Sequence, residues 1–435
     1  MYFTKGGNAM YCLQRSLLYN TDYIIMHSRT LRSYYEMFKM LDLSSIPDRP
    51  HDLGNEGYSQ HAMLRAFIVK TREHIESVPR LIDYLDGNLI LAEMCGFPNG
   101  KLPHSSQFYR FMAKTKHSDI ENMFYSCNKK LIEQDAVTLE TFIMDSKPVL
   151  AATKENNQKN PDRNLTDKEK KPKRNPQATL GYFAKSTDNS KTFYWGYRNH
   201  VIVSKEGIAL VEDILPNNTT DAEVAFRLIK KLKKIYKFEK GVLFIADAAY
   251  DVNDLYEFII DKLKCRAFIP LNPRAEKEPH TIGINGRPLC DANLEMASDG
   301  QWFDKSRKTI KHKFICPLKA SKVFAKDFPQ GCPACNPKFA GYGCTKYFCE
   351  PRTARASVPR DSAEYAREYS KRIVVEQYFS RLGMVEAYQT SHYRLNIVKN
   401  QLTIAHLTHS LIALAAASIG QVKKIRCYRT FTSVA

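Results

Sequence analysis

The chain has 435 residues, too many for one ordinary domain, and its 43% hydrophobic content excludes a disordered chain. Lys and Arg number 65 against 46 Asp and Glu, an excess of +19 that points to a polyanionic partner, nucleic acid first. An anionic membrane ranks second, because no basic amphipathic helix of the monotopic kind is present.

The start, Met1-Tyr-Phe-Thr-Lys5, lacks the charged-then-apolar layout of a signal peptide. Residues 1–57 are read as an N-terminal arm, with a short helical pattern through Tyr34, Met37, Phe38 and Leu41. From Ser59 the signals sharpen. Ser59 is expected to cap a helix, Ser77 a second ending at Gly87, Asn88 a third stopped by Gly96, and Ser105 a fourth through Phe108, Phe111 and Met112. Short helices on tight turns resemble a helix-turn-helix module, and residues 58–136 are read as a helical DNA-binding domain. On its fourth helix Gln107, Arg110 and Lys114 fall outward, the residue types that read base edges or grip phosphate. The same three side chains would equally suit ordinary solvated positions. Ser118 and Glu121 have the spacing of a capping box for one more helix, to Gln134.

Thr141-Phe-Ile-Met-Asp145 reads as a strand ending in a carboxylate, and 154–176, rich in Asn, Lys, Asp and Pro, as an exposed basic insertion. Residues 192–204 and 208–215 form a predicted hairpin turning at Glu206-Gly207. Thr220 with Glu223 is a second capping box, for a helix to Tyr236. Val242-Leu-Phe-Ile-Ala-Asp247 repeats the grammar of a strand closed by an acid, followed by a helix over 253–263 and a strand over 265–270. Strands joined by helices must bury both faces, which fits the continuous apolar runs at 142–144 and 242–246. The closing helix is delayed to Tyr365, so 272–360 is read as an insertion, with a hairpin signal at Ser298-Asp-Gly300. The core thus spans 137–271 and resumes at 361–435. Its longest apolar stretch, 402–419, is interrupted by Thr403, His406, Thr408, His409 and Ser410, which argues for a buried core helix and against a membrane span.

On the predicted 365–385 helix, Tyr369, Arg372, Glu376, Ser380 and Gly383 share one side, and Val374, Val375, Tyr378, Phe379, Leu382 and Val385 the other. Glu376 can therefore meet acids delivered by the strands. Magnesium takes oxygen ligands and is held by one or two carboxylates plus substrate phosphates, and a pair of ions about 4 Å apart serves phosphodiester chemistry. Taken singly, each acid is as readily a turn former, a helix cap or, for Glu376, a partner of Arg372. Asp251 rivals Asp247 for the second position.

The pattern of Asp145 after a strand, Ala246-Asp-Ala-Ala-Tyr-Asp251, and Tyr369-x2-Arg372-x3-Glu376 resembles the DDE transposases of bacterial insertion sequences. The likeness spans most of the chain, with Tyr194-Trp-Gly-Tyr-Arg-Asn-His200 similar to that family's second-strand motif. It implies an α/β ribonuclease H-like core, an N-terminal all-α DNA-binding region and a β-rich, Cys-containing insertion. It also implies a recombinase that binds the terminal inverted repeats of its element, cuts to leave 3′-hydroxyls and transfers them to target DNA. Asp145, Asp247 and Glu376 would hold two Mg²⁺, with Mn²⁺ as a substitute, and Tyr369 and Arg372 would contact phosphates. Where the family often carries a DNA-contacting Lys, seven residues after the Glu, this chain has Gly383, and Arg381, the nearby cation off that face, is the candidate DNA contact. Partners follow: double-stranded DNA, a second copy on that DNA, and no membrane, in a bacterial cytoplasm at the nucleoid. The alternatives are a transposase-derived DNA-binding protein without catalysis, and a metal-dependent nuclease of the same fold.

Six of the eleven cysteines fall between Cys290 and Cys349, a clustering that favours thiolate metal binding over disulfides. Cys316, Cys332, Cys335 and Cys344 are the expected ligands of a structural Zn²⁺, with Cys290 and Cys349 as substitutes. The insertion also carries Lys305, Arg307, Lys308, Lys311 and Lys313, a second basic surface for DNA.

Overall fold

The computed structural model describes residues 20–48, 57–157, 174–184, 191–272, 287–304, 309–332, 343–349, 357–360, 362–383 and 392–427, with a few isolated residues between them. The expected lysines and arginine at 305, 307 and 308, most of the 154–176 insertion, Cys335 and Val385 lie outside these residues. The chain divides into two compact units, Met1–Val242 with Arg372–Ala435, and Leu243–Lys371.

The first unit opens with helices α1 (Thr21–His27), α2 (Arg29–Met40), α3 (Gln60–Arg72), α4 (Val78–Asp86), α5 (Leu89–Cys95), α6 (Ser105–Lys114) and α7 (His117–Glu133). Local chemistry sets most of their ends. Ser59 accepts from the Ala62 amide, Ser77 from the Arg80 amide, and Gly96 closes α5 at φ +107°, a region that favours glycine. Three expected caps differ. Asn88 stands at the start of α5 but makes no capping bond, its side-chain amide donating instead to the Tyr84 carbonyl. His104, not Ser105, caps α6, accepting from the Ser106 amide. The Ser118–Glu121 capping box is absent, since α7 starts two residues earlier behind Lys116 and Ser118 lies inside it. Glu121 is drawn inward instead, to His117 and Lys231.

The sheet of this unit comprises β1 (Thr141–Leu150), β2 (Thr179–Ala184), β3 (Lys191–Ser204) and β4 (Ala209–Pro216). β3 pairs antiparallel with the other three, and Gly207 at φ +81° makes the expected turn into β4. Asp145 does not end its strand. Pairing runs on to Leu150 opposite Gly196, where a Cβ would stand 2.1 Å from the Val149 carbonyl oxygen. Without a side chain at Gly196, β3 passes close beside the Val149–Leu150 end of β1.

Helix α8 (Asp221–Ile235) follows, with both halves of the Thr220–Glu223 capping box formed. The unit resumes after the second one with α11 (Ile373–Gly383) and α12 (Leu395–Ser418). α12 is a buried core helix that packs on α7, α3, α2, α6 and β4. Several of its polar residues donate to neighbours: Asn400 to the Met112 and Thr115 carbonyls, Thr403 to Glu212 and Ser410 to Asn128. Those bonds remove the desolvation penalty that would otherwise oppose burial. No helix among the described residues is long and apolar enough to cross a membrane.

The second unit carries the parallel pair β5 (Leu243–Ile245) and β6 (Arg266–Phe268), linked by α9 (Asn253–Tyr256), which runs on as a π-helical turn to Lys262. β7 (Ala297–Asp304), β8 (Thr309–Ile315) and β9 (Thr345–Cys349) form a separate antiparallel sheet. Ser298-Asp-Gly300 is not the hairpin turn but lies within β7, where the register shifts and Gly300 adopts φ +104°. A bulge and a turn ask for the same left-handed glycine, so the sequence signal cannot separate them. Helix α10 (Ala363–Tyr369) completes the unit. The expected continuous 365–385 helix is broken by a 3₁₀ turn at Ser370–Arg372, where the Ser370 hydroxyl donates to the Arg367 carbonyl.

Candidate active site

Alternation along β1 divides its side chains between two environments. Ser146 donates to Asp221 at the first turn of α8, and Arg198 and His200 of β3 converge on the same carboxylate, at 2.9 and 3.4 Å. Burial holds His200 neutral, lowering its pKa to about 4 against the pull of Asp221. Asp145, Val201 and Glu212 are cross-strand partners and share the opposite face, as does Asn199. α11 packs on that face against β1 and β3.

Asp145 and Glu376 are brought together there by one guanidinium. Arg372 reaches Glu376 Oε1 at 2.5 Å with one terminal nitrogen and Asp145 Oδ2 at 3.4 Å with the other. The Glu376 side chain is 53% exposed and that of Asp145 14%, so the cluster opens to solvent on the helix side. Val375, Tyr378, Phe379 and Leu382 are buried on the other side of α11, as the amphipathic reading expects. A planar fork bound to two carboxylates neutralises charge that a divalent cation would also neutralise. The donors are carboxylate oxygens, the set that suits Mg²⁺ or Mn²⁺.

Asp247 is carried by the second unit, two residues beyond β5, where its Oδ1 accepts from the Ala249 amide and opens a short 3₁₀ turn. Its rival Asp251 is buried with both oxygens engaged. Arg355 grips it through two bonds of 2.8 and 2.7 Å, while Tyr256 and the Asn272 amide donate to it. Burial raises the Asp251 pKa, but these donors outweigh it and hold the carboxyl low. Such an acid has no lone pair direction to spare for another ligand.

The remaining sequence candidates scatter. On α6, Arg110 and Lys114 are exposed and Gln107 half-buried, with Arg110 donating to Gln107 at 3.2 Å, while Phe108, Phe111 and Met112 face the core. Tyr369 stacks on Tyr365 with centroids 5.5 Å apart. Arg381 donates to the Gly207 carbonyl at 2.9 Å and lies over the Tyr378 ring. In the insertion, the Cys316 amide donates to the Cys344 carbonyl. The Cys344 thiol, pushed up to about 11 by burial and then by Cys316 and Cys290, has those two for neighbours. Cys290, expected only as a substitute, thus stands with Cys316 and Cys344, and Cys332 is half-buried.

Sequence reasoning missed a second cluster of acids and bases. His117, Glu121 and Glu212 offer ligand atoms within 4.8 Å of one another, the one such group among the described residues. A cation already serves it: Lys231 is bonded to Glu121 and donates to the Glu212 carbonyl oxygen at 2.8 Å. A buried acid inside the apolar alternation of β4, Ala209-Leu-Val-Glu-Asp-Ile-Leu215, was the signal available.

The sequence profile of the family described as "Transposase DDE domain" matches residues 138–411. No curated protein matches the chain. Among solved structures, a cryo-EM structure of the piggyBac transposase synaptic complex with hairpin DNA is similar at 10% identity, covering 96% of this chain and 80% of that one, with a TM-score of 0.37. A likeness that slight carries no argument about the site.

Proposed function

The chain belongs to the transposase DDE domain family, and from that premise we propose that it binds the terminal inverted repeats of an insertion sequence, cuts them and joins the ends to target DNA. The observation that supports this most is the Asp145–Arg372–Glu376 cluster, which unites acids 231 positions apart on β1 and α11. In this reading the core is ribonuclease H-like, Asp247 is the third acid, and the three carboxylates hold Mg²⁺ or Mn²⁺. When bound, the ions supply Lewis-acid activation of the attacking oxygen and stabilisation of the leaving one.

The chain's own residues supply the rest. Arg372, whose fork bridges the two carboxylates, would turn that planar fork to a backbone phosphate once ions held the acids. Tyr369 stands one short turn before it, at the end of α10, as a second phosphate contact. Gln107, Arg110 and Lys114 on the outer face of α6 serve recognition of the element's ends, and Arg381 stays with the Gly207 carbonyl as a support of the β3–β4 turn. Two copies of the chain act on one pair of ends.

The test uses the purified chain, labelled duplex from the borders of its own gene, Mg²⁺ or Mn²⁺, and an Asp145→Ala control. Nicking at the border and joining to plasmid, both lost in the control, is the expected result. DNA binding without strand breakage, equal in both proteins, would overturn catalysis and leave a DNA-binding protein. Cutting without preference for the borders and without joining would leave a nuclease.

A further inference from the structure

Glu376 is carried by a helix tied to the β3–β4 turn through Arg381 and to β3 itself through a buried imidazole. Tyr378, two residues on, is 1% exposed, and its hydroxyl lies 2.6 Å from His406 Nδ1 on α12. His406 is 0% exposed, its ring nearly parallel to that of Tyr378 at 7° with centroids 5.8 Å apart. Its other nitrogen, Nε2, lies 3.0 Å from the side-chain amide of Asn199 on β3, also 0% exposed. With the amide so turned, Asn199 donates to Nε2, which puts the imidazole proton on Nδ1, where it donates to Tyr378. Asn199 is two residues from Val201, the cross-strand partner of Asp145. The path therefore runs from the helix of one acid to the strand beside the other.

We infer that His406 positions Glu376 against Asp145 by fixing the roll of α11 on the sheet, an inference that rests on the metal-holding role given to those two acids. Residues two apart on a helix point about 200° apart, so Tyr378 and Glu376 occupy opposite sides of α11. Apolar packing of Val375, Phe379 and Leu382 holds the helix against the core but is weakly directional. A hydrogen bond of 2.6 Å at the helix underside is strongly directional, and a small roll there moves the exposed carboxylate by a comparable arc on the far side. The metal geometry tolerates little of that.

The test reads Mn²⁺ binding to the full chain by the loss of free-ion electron paramagnetic resonance signal, alongside thermal midpoint and duplex affinity. Tyr378→Phe removes only the hydroxyl. His406→Asn keeps an amide near the place of Nδ1, and His406→Gln keeps one near Nε2. Expected are five- to tenfold weaker Mn²⁺ binding in Tyr378→Phe and His406→Gln, near-native binding in His406→Asn, and unchanged duplex affinity in all three. Native Mn²⁺ affinity in Tyr378→Phe overturns the inference, as does weakening that only tracks the unfolded fraction. Glu376→Ala separates the two levels of argument. If it binds Mn²⁺ like the native chain, the metal-holding role falls and the inference with it. If it loses the ion while Tyr378→Phe does not, only the positioning falls.

Discussion

Two clusters in the first unit are built from the same kinds of residue and behave as opposites. At Asp145–Arg372–Glu376 a guanidinium bridges two acids, one of them 53% exposed. At Glu121–His117–Glu212–Lys231 an ammonium and an imidazole serve two acids, and the Glu212 side chain is 0% exposed. Burial raises the Glu212 pKa, but the His117 hydrogen bond and the Lys231 charge outweigh it and hold the carboxyl at about 2. Thr403 adds a 2.7 Å donor. In the open cluster water can solvate either partner when the pair separates. In the closed one separation strands a charge in a medium that cannot solvate it. Exchange of one cation for another is therefore cheap at the first cluster and prohibitive at the second, although the second has the ligand set that more resembles a metal site.

The largest expected effect breaks the comparison on the side of chemistry. Asp145→Ala or Glu376→Ala lowers border cleavage about a thousandfold or more, the several kcal/mol that metal-borne charge stabilisation supplies. Gel assays on labelled ends measure it, and cleavage within tenfold of native would sink the assignment. On the side of stability, Lys231→Met leaves Glu121 and Glu212 without their ammonium and costs about 3–5 kcal/mol, read from urea unfolding. By the same measurement Arg372→Ala costs less, about 1 kcal/mol, because its closer pair, with the half-exposed Glu376, is open to solvent. Equal costs for the two cations would erase the distinction drawn here.

Acid sharpens it further. His406 and His392 are pushed down by burial to about 4 from 6.5, so the unfolded chain takes up their protons first. Their contribution is full above pH 6.5 and is lost as pH falls toward 4. Glu212, held at about 2 against 4.5, adds a later loss between about pH 4.5 and 2. Urea midpoints against pH should fall in both windows, and Glu212→Gln should flatten only the lower one. A purely local change, Thr220→Ala, costs about 1 kcal/mol from the lost capping box of α8, read from the same urea unfolding.

Much of this architecture was legible in the residues, and the parts that were not share a cause. Ser59, Ser77, Gly96, Gly207 and the Thr220–Glu223 box act within a few positions of themselves, so their spacing is their structure. The amphipathic side of α11 and the burial of α12 follow from periodicity in the same way. Glu121 carried an equally good local signal, but a lysine 110 positions away competed for it and won. Asp145 looks like a strand end in the local pattern, but pairing with β3 carries β1 on to Leu150, opposite a glycine 46 positions later. For the site, the acids could be nominated from strand and helix grammar. Arg372 bridging two of them, Asp251 withdrawn by Arg355, and the His406 link all depend on contacts between distant segments, which no local pattern encodes.

The bonds of α12 also set an order of events during synthesis. Asn400 closes on Met112 and Thr115, Ser410 on Asn128, and Thr403 on Glu212, spans of 191 to 288 positions. A chain emerging at about 5–20 residues per second exposes α7 and β4 well before their partners exist. Contacts of such span are slow to close even in a finished chain. The first unit therefore matures only after the 243–371 segment has been made, and a nascent chain halted before Leu395 presents Glu212 without the Thr403 hydroxyl and the cover of α12.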